Sequence, residues 1–297
     1  MTQSRPQAPP HLPRQLILQK FYAMLEEDVG FGDVTTTALI PKDQYAQAQL
    51  FTRQPGVVAG IDIAAIILED FGFSVTQLTQ DGTQVKADTI LLEVHGRAAL
   101  FLSIERTLLN LLQRMSGIAT ATANLLRKAR KINPKIRIAA TRKTAPLLRL
   151  FDKVSVIIGG GDSHRWRLDD AILIKDNHLA FFSEPSQAIQ QARENASFTC
   201  PIEIEVTTPQ AAQTAAAAGA DIILLDNMSP KEISAIVKAI RKSHPSVIFE
   251  ASGNITPSNI EEYATTGVDV ISVGWLTHSV QALDLSIDLT PISTDKP

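Results

Sequence analysis

The chain has 297 residues, 44% of them apolar and 20% charged, and its 28 basic and 31 acidic side chains give a formal net charge of −3. That composition supplies a sizeable core, excludes wholesale disorder and leaves no overall field to attract nucleic acid, so an anionic ligand has to be held by a local basic site. A single cysteine, Cys200, excludes a disulfide framework and a cysteine-rich zinc site. No apolar run reaches the roughly 18 residues of a membrane span, and the start, MTQSRPQAPPHLPRQ, has no apolar stretch of the kind a secretory signal needs. The expectation is a soluble, cytoplasmic protein of one large α/β unit or two domains, with a short disordered lead-in.

A helix is predicted after Pro13, where Leu18, Phe21 and Leu25 recur at helical spacing and Gly30 and Gly32 stop it. The hydroxyl-rich GFGDVTTTALIP that follows reads as a loop. Residues 48–96 read as β-rich, with QLFTR, VVAG, FSVTQLT and TILLEVHG as short extended runs, glycine turns between them, and IDIAAIILEDFG as a helix. From Ala98 to Lys131 the pattern is helical, with a break predicted at Ser116–Gly117 and a domain boundary beside it.

From residue 136 seven apolar runs follow: KIRIAATRK, VSVIIGGG, AILIKDN, IEIEVTT, DIILLDN, VIFEASG and VDVISVG. Most are separated by helical stretches such as PQAAQTAAAAG and KEISAIVKAIRKS, which is the spacing of βαβ crossovers in a parallel sheet. Seven units favour a closed or nearly closed α/β barrel over a doubly wound sheet. Each run ends in a reactive or anion-friendly group: Arg142 and Lys143, the Gly159–Gly161 triplet, Lys175, Glu205, Asp226, Ser252–Gly253 and Gly274. Strand C-termini build the active face of such barrels. In IEIEV, Glu203 and Glu205 share one face, so the acids can point inward while the isoleucines meet the helices.

These ends sort into three kinds of chemistry. Arg142, Lys143, His164, Arg165 and Lys175 form a cationic set suited to carboxylate or phosphate, because several converging cations repel one another unless an anion neutralises them. Glu205 and Asp226, on adjacent predicted strands, suit Mg²⁺, with salt bridging as the plainer reading. ASGNIT (251–256) and SVGWLT (272–277) place small residues before helix-like segments, where backbone amides can cradle a phosphate. A Schiff-base lyase using Lys175, in the manner of class I aldolases, is the alternative from chemistry alone.

Eight segments carry a family resemblance: EDVGFGDVTT (27–36), ERTLLNLLQRMSGIAT (105–120), ATRKTAPLLR (140–149), GGGDSHRWRLDDAILIKDNH (159–178), IEIEV (202–206), IILLDNMS (222–229), FEASGNIT (249–256) and TGVDVISVGWLTHS (266–279). In this order they resemble the quinolinate phosphoribosyltransferases over nearly the whole chain. The resemblance implies an N-terminal α/β sandwich over 1–116, with the tail 276–297 packing back on it, and an open seven-stranded TIM-like α/β barrel over 117–275. It implies a homodimer whose active site is shared, with Arg106 donated by the partner subunit. It implies that quinolinate and phosphoribosyl pyrophosphate give nicotinate mononucleotide, pyrophosphate and CO₂, with Mg²⁺ and no organic cofactor.

On that resemblance Arg106, Arg142, His164 and Arg165 hold the quinolinate carboxylates, and Lys143 and Lys175 balance ring carboxylate and pyrophosphate. Glu205 and Asp226 hold Mg²⁺ and the ribose hydroxyls, and Ser252, Gly253 and Gly274 receive the 5-phosphate. Lys143, Lys175, Glu205 and Asp226 form the catalytic set. The sequence departs from the family pattern at Ser163, Trp166 and Arg167 around the His164–Arg165 pair, and at Asn254, where glycine is common. A paralogous group associated with molybdenum uptake shares the architecture and is the second alternative.

Overall fold

The computed structural model describes residues 10–292, so most of the proline-rich lead-in lies outside the described residues. The chain divides into two compact units. Of the described residues, one unit holds 10–121 together with 280–292, and the other holds Thr122–Ser279.

The first unit opens with α1 (Arg14–Val29), which starts directly after Pro13 and stops at Gly30, whose φ of 55° an L side chain rarely adopts. The segment expected as a loop contains a helix, α2 (Val34–Leu39), because Asp33 caps it: Oδ1 accepts from the Thr36 amide at 2.9 Å. Next come β1 (Tyr45–Thr52), β2 (Gly56–Val57), α3 (Ile61–Asp70), β3 (Ser74–Gln77), β4 (Gln84–Val85) and β5 (Ile90–Arg97). In β1 every second side chain, Ala46, Ala48, Leu50 and Thr52, is buried, the alternation of a strand with one face on a core.

Helix α4 (Ala98–Ile132) then runs for 35 residues without the break predicted at Ser116–Gly117. Those two small residues serve close approach instead. Ser116 Oγ accepts from the Ala59 amide at 3.0 Å, and a Cβ on Gly117 would stand 2.2 Å from the backbone oxygen of Gln281.

The second unit contains β6 (Arg137–Ala139), α5 (Arg149–Ile158), β7 (Ile172–Ile174), α6 (Asp176–Leu179), α7 (Pro185–Asn195), β8 (Ile202–Val206), α8 (Pro209–Ala217) and β9 (Ile222–Asp226). It continues through α9 (Pro230–Arg241), β10 (Ile248–Ser252), α10 (Ile260–Ala264), β11 (Val270–Ser272) and α11 (Trp275–His278). The final strand, β12 (Leu285–Ile292), belongs to the first unit, where the order β12-β1-β5-β3 makes an antiparallel sheet.

Six strands of the second unit form one parallel sheet in the order β6-β11-β10-β9-β8-β7. The seventh expected run, VSVIIGGG, is not a strand. Residues 154–158 close α5, and the chain then makes a single bridge between Asp162 and Ala139 of β6. The short β-branched run is ambiguous by itself, but apolar Phe151, Val154 and Ile157 recur at helical spacing in a helix buried throughout from 151 to 157.

One face of the central strands is apolar, and Ile202, Ile204, Leu225, Phe249 and Ala251 on it are fully buried. Each large apolar side chain removed from water there contributes about 1.5–3 kcal/mol. A capping box starts α9, with Ser229 and Glu232 bonding reciprocally and Pro230 at the first helical position, so the chain turns sharply after β9.

Gly117 provides a test in which two effects oppose. Helix propensity alone would make Gly117→Ala about 1 kcal/mol more stable. The contact with rigid backbone reverses the sign, and overpacking of this kind costs about 1–3 kcal/mol. The expected result is a lower urea midpoint for the variant; a midpoint at or above the parent's contradicts the packing argument.

Candidate active site

Parallel strands place their C-terminal ends along one edge of the sheet, and a cavity of about 490 Å³ lies there. β6 leads into Thr141, Arg142 and Lys143, β7 into Lys175, β8 carries Glu205 next to its last residue, and β9 ends in Asp226. β10 leads through Ser252 into Gly253 and Asn254, and β11 ends at Ser272; all line the cavity with Asn227, Glu250, Leu173 and Leu224. His164 and Arg165 enter from the loop after α5. Thus Arg142, Lys143, His164, Arg165, Lys175, Glu205, Asp226, Ser252 and Gly253 are brought together as the sequence predicts.

Gly274 does not line the cavity but adjoins it, since a Cβ there would lie 3.2 Å from Lys143 Cδ. Arg106 stands on the exposed face of α4 in the other unit and is not among the lining residues.

Two facts mark the cationic wall as a place for an anion. Arg142 Nε is buried and, among the described residues, has no hydrogen-bond partner. Burial and the neighbouring Arg142 cation both press the Arg165 pKa downward from its ordinary value. Lys175 Nζ donates to Glu205 Oε2.

Glu205 stands opposite Leu224 in the register of β8 and β9, so Asp226, two residues on, shares its face. Asp226 is steadied by a short chain of amides. Asn254 Nδ2 donates to Asn227 Oδ1 at 3.0 Å, and Asn227 Nδ2 donates to Asp226 Oδ2 at 2.5 Å. Gly253 between them has a φ of 95°, and a Cβ there would lie 2.3 Å from Asn227 Oδ1. Asn254, a departure from the family pattern, is therefore a link to the carboxylate.

His164 sits between two buried carboxylates, with Nε2 at 3.5 Å from Glu203 Oε2 and 3.4 Å from Glu250 Oε2. Burial alone would lower its pKa, but the hydrogen bonds and charges of Glu203 and Glu250 override burial and raise it to about 10. Burial, with the charge of Glu250, raises the Glu203 carboxyl in turn. One contact opposes the cation: the Arg165 amide donates to His164 Nδ1 at 2.7 Å, which an imidazolium cannot accept. Two carboxylate partners, at about 1.5–3 kcal/mol for a charged hydrogen bond, outweigh one neutral bond of about 0.5–1.5 kcal/mol.

Glu250 and Lys153 were not among the residues singled out in the sequence. The alternation of FEAS, which puts Glu250 on the face of Ser252, was the signal for the first. Lys153, fully buried in α5, had none, because its helix read as a strand. Of the departures around His164, Ser163 is buried, whereas Arg167 makes an exposed ion pair with Asp169 at 3.0 Å, a contact of little energetic consequence.

The raised pKa of His164 has a definite sign in stability. A folded-state pKa of about 10 above the ordinary 6.5 gives stabilisation that is complete below about pH 6.5 and is lost as pH rises through 10. The thermal midpoint advantage of the parent over His164→Gln should therefore shrink between pH 6.5 and 10; an advantage that is constant or grows over that range contradicts the carboxylate clamp.

Comparison with known proteins identifies the family. Residues 33–116 match the family profile "Quinolinate phosphoribosyl transferase, N-terminal domain" and residues 118–288 match the corresponding C-terminal domain. The nicotinate-nucleotide pyrophosphorylase (carboxylating) of Mycobacterium leprae is 38% identical over 270 residues, covering 89% of this chain and 94% of that one. The human enzyme of that name is 38% identical over 252 residues, covering 85% of each. The crystal structure of NadC from Streptococcus pyogenes superposes with a TM-score of 0.89 at 37% identity, covering 96% of this chain and 100% of that one. The chain belongs to the quinolinate phosphoribosyltransferase family.

Proposed function

We propose that the protein transfers the 5-phosphoribosyl group of phosphoribosyl pyrophosphate to quinolinate with decarboxylation, giving nicotinate mononucleotide, pyrophosphate and CO₂ for NAD biosynthesis. The observation that carries this reading is the convergence of Arg142, Lys143, His164, Arg165 and Lys175 on one cavity that also holds Glu205 and Asp226, in a chain of this family. Both substrates are polyanions, so their binding relieves the repulsion among the cations. We further infer that the parallel sheet is part of an open barrel whose seventh position is the Asp162 segment bridging Ala139.

In this account Arg142 and Arg165 grip the two ring carboxylates with the His164 imidazolium as the adjoining cation, its ring nitrogens already engaged by Glu203, Glu250 and the Arg165 amide, and Lys143 and Lys175 balance ring carboxylate and pyrophosphate charge. Ser252, Gly253 and Gly274 receive the 5-phosphate. Pyrophosphate leaves ribose C1 with the electron pair of its C–O bond, and the pyridine nitrogen forms the new C–N bond with its lone pair. The ribose passes through an oxocarbenium-like state, for which positioning and charge stabilisation supply most of the acceleration. The quaternised nitrogen then accepts the build-up of charge at C2 as the C2 carboxylate departs as CO₂, and a proton takes its place. No organic cofactor is required.

Glu205 and Asp226 fit a hard divalent cation. Lys175 engages Glu205 through Oε2 and Asn227 engages Asp226 through Oδ2, which leaves Oε1 and Oδ1 as donors. Mg²⁺ takes one or two carboxylates together with phosphate oxygens and water, and when bound it would neutralise pyrophosphate charge.

The partner subunit of a homodimer would supply Arg106, which is exposed on α4. No described helix is long and apolar enough to cross a membrane. The molybdenum-associated and Schiff-base alternatives have no comparable support, since relatives at this identity carry the pyrophosphorylase name and Lys175 Nζ is engaged by Glu205.

The purified protein should release CO₂ from quinolinate only when phosphoribosyl pyrophosphate and Mg²⁺ are both present; absence of turnover sinks the reading. Inactive Arg106→Ala and Lys143→Ala chains, mixed and allowed to exchange subunits, should regain part of the parent activity. Exchanged heterodimers that stay inactive would argue against a shared site.

A further inference from the structure

Lys153 is a fully buried lysine in the middle of α5, and it does not line the cavity. Its ammonium is spent on backbone: Nζ donates to the carbonyl of Ser163 and, at 2.8 Å, to that of Arg165. Those two carbonyls flank His164, whose φ of 52° is a left-handed conformation that costs a non-glycine residue energy and persists only where neighbouring contacts impose it. The other contacts of the strip tie down the same few residues. The His164 amide donates to Asp162 Oδ1 at 3.1 Å, and the Trp166 amide donates to Asp170 Oδ2 at 2.8 Å.

The loop thus presents two faces. The side chains of His164 and Arg165 line the cavity, while the carbonyls of Ser163 and Arg165 are held by a cation from within the unit. A buried ammonium is costly and is retained where its hydrogen bonds are made in full. A core that needed only volume at position 153 would be served by methionine or leucine. What lysine adds is two directed donors behind the residues that meet the ligand.

We propose that Lys153 is the positioning residue of the His164–Arg165 segment, fixing through the Ser163 and Arg165 carbonyls the geometry in which Arg165 takes a substrate carboxylate beside the His164 imidazolium. It touches no reacting atom and acts through the loop. The proposal rests on the transferase reading for the identity of the ligand, but its hold on the loop is measurable without turnover.

The test compares the full-length protein with Lys153→Met, using two readouts. Amide hydrogen exchange in the 162–167 peptide should quicken by about tenfold or more when the two donors are removed. Where the parent is active, KM for quinolinate should rise about tenfold, as for loss of a well-placed contact, while KM for phosphoribosyl pyrophosphate stays within about twofold. Unchanged exchange and an unchanged quinolinate KM in a folded variant overturn the proposal, as does an equal rise in both KM values. If Lys153→Met does not fold, Lys153→Gln takes its place, and failure of both to fold assigns Lys153 to the core and likewise overturns it. A parent without turnover sinks the transferase reading, and the exchange comparison then decides the role of Lys153 alone.

Discussion

Like charges gathered in one cavity repel, and the arrangement of the second unit is organised by that repulsion. Arg142, Lys143 and Lys175 arrive from strand ends and His164 and Arg165 from a loop, so no single element has to carry the whole unfavourable charge. Part of the charge is answered internally, by Glu205 against Lys175 and by Glu203 and Glu250 against His164. Part is left open, most plainly at Arg142 Nε. A site with this residue of uncompensated positive charge is poised for polyanions, and a net charge of −3 over the whole chain conceals it.

The parallel sheet makes the gathering possible. Its strands are short and buried, with one face apolar and the other carrying Glu203, Glu205, Asp226, Glu250 and Ser252 toward the cavity, so apolar packing on the first face holds the polar groups of the second in place. The supports behind those ends are as specific as the ends themselves. Gly253 allows Asn227 to approach, Asn227 reaches Asp226, and the carboxylate pair behind His164 orients its imidazole. Side chains held in this way need little rearrangement when charge develops in a transition state.

Much of this was legible in the sequence. Six of the seven apolar runs are strands of the parallel sheet, and the residues at their ends do meet. The failures have local causes. VSVII looks like a strand because β-branched residues suit one, and its helical periodicity emerges only when Phe151 is included. DVTTTAL looks like a loop because its threonines mask an aspartate cap. Ser116–Gly117 looks like a helix break, yet both residues answer to neighbours distant in sequence, Ala59 and Gln281. Lys153 was invisible because its helix reads as a strand, which hides the turn that brings the Ser163 and Arg165 carbonyls to it.

The central claim is that the open positive charge of the cavity is the receptor for the substrate carboxylates. A crystal structure of the protein with quinolinate bound tests it most directly. The account predicts a ring carboxylate oxygen within about 3.2 Å of a guanidinium nitrogen of Arg142, the distance of an N–H···O hydrogen bond, with Arg165 on the same ligand. Quinolinate bound elsewhere on the chain, with the Arg142 guanidinium still unpaired, would contradict it.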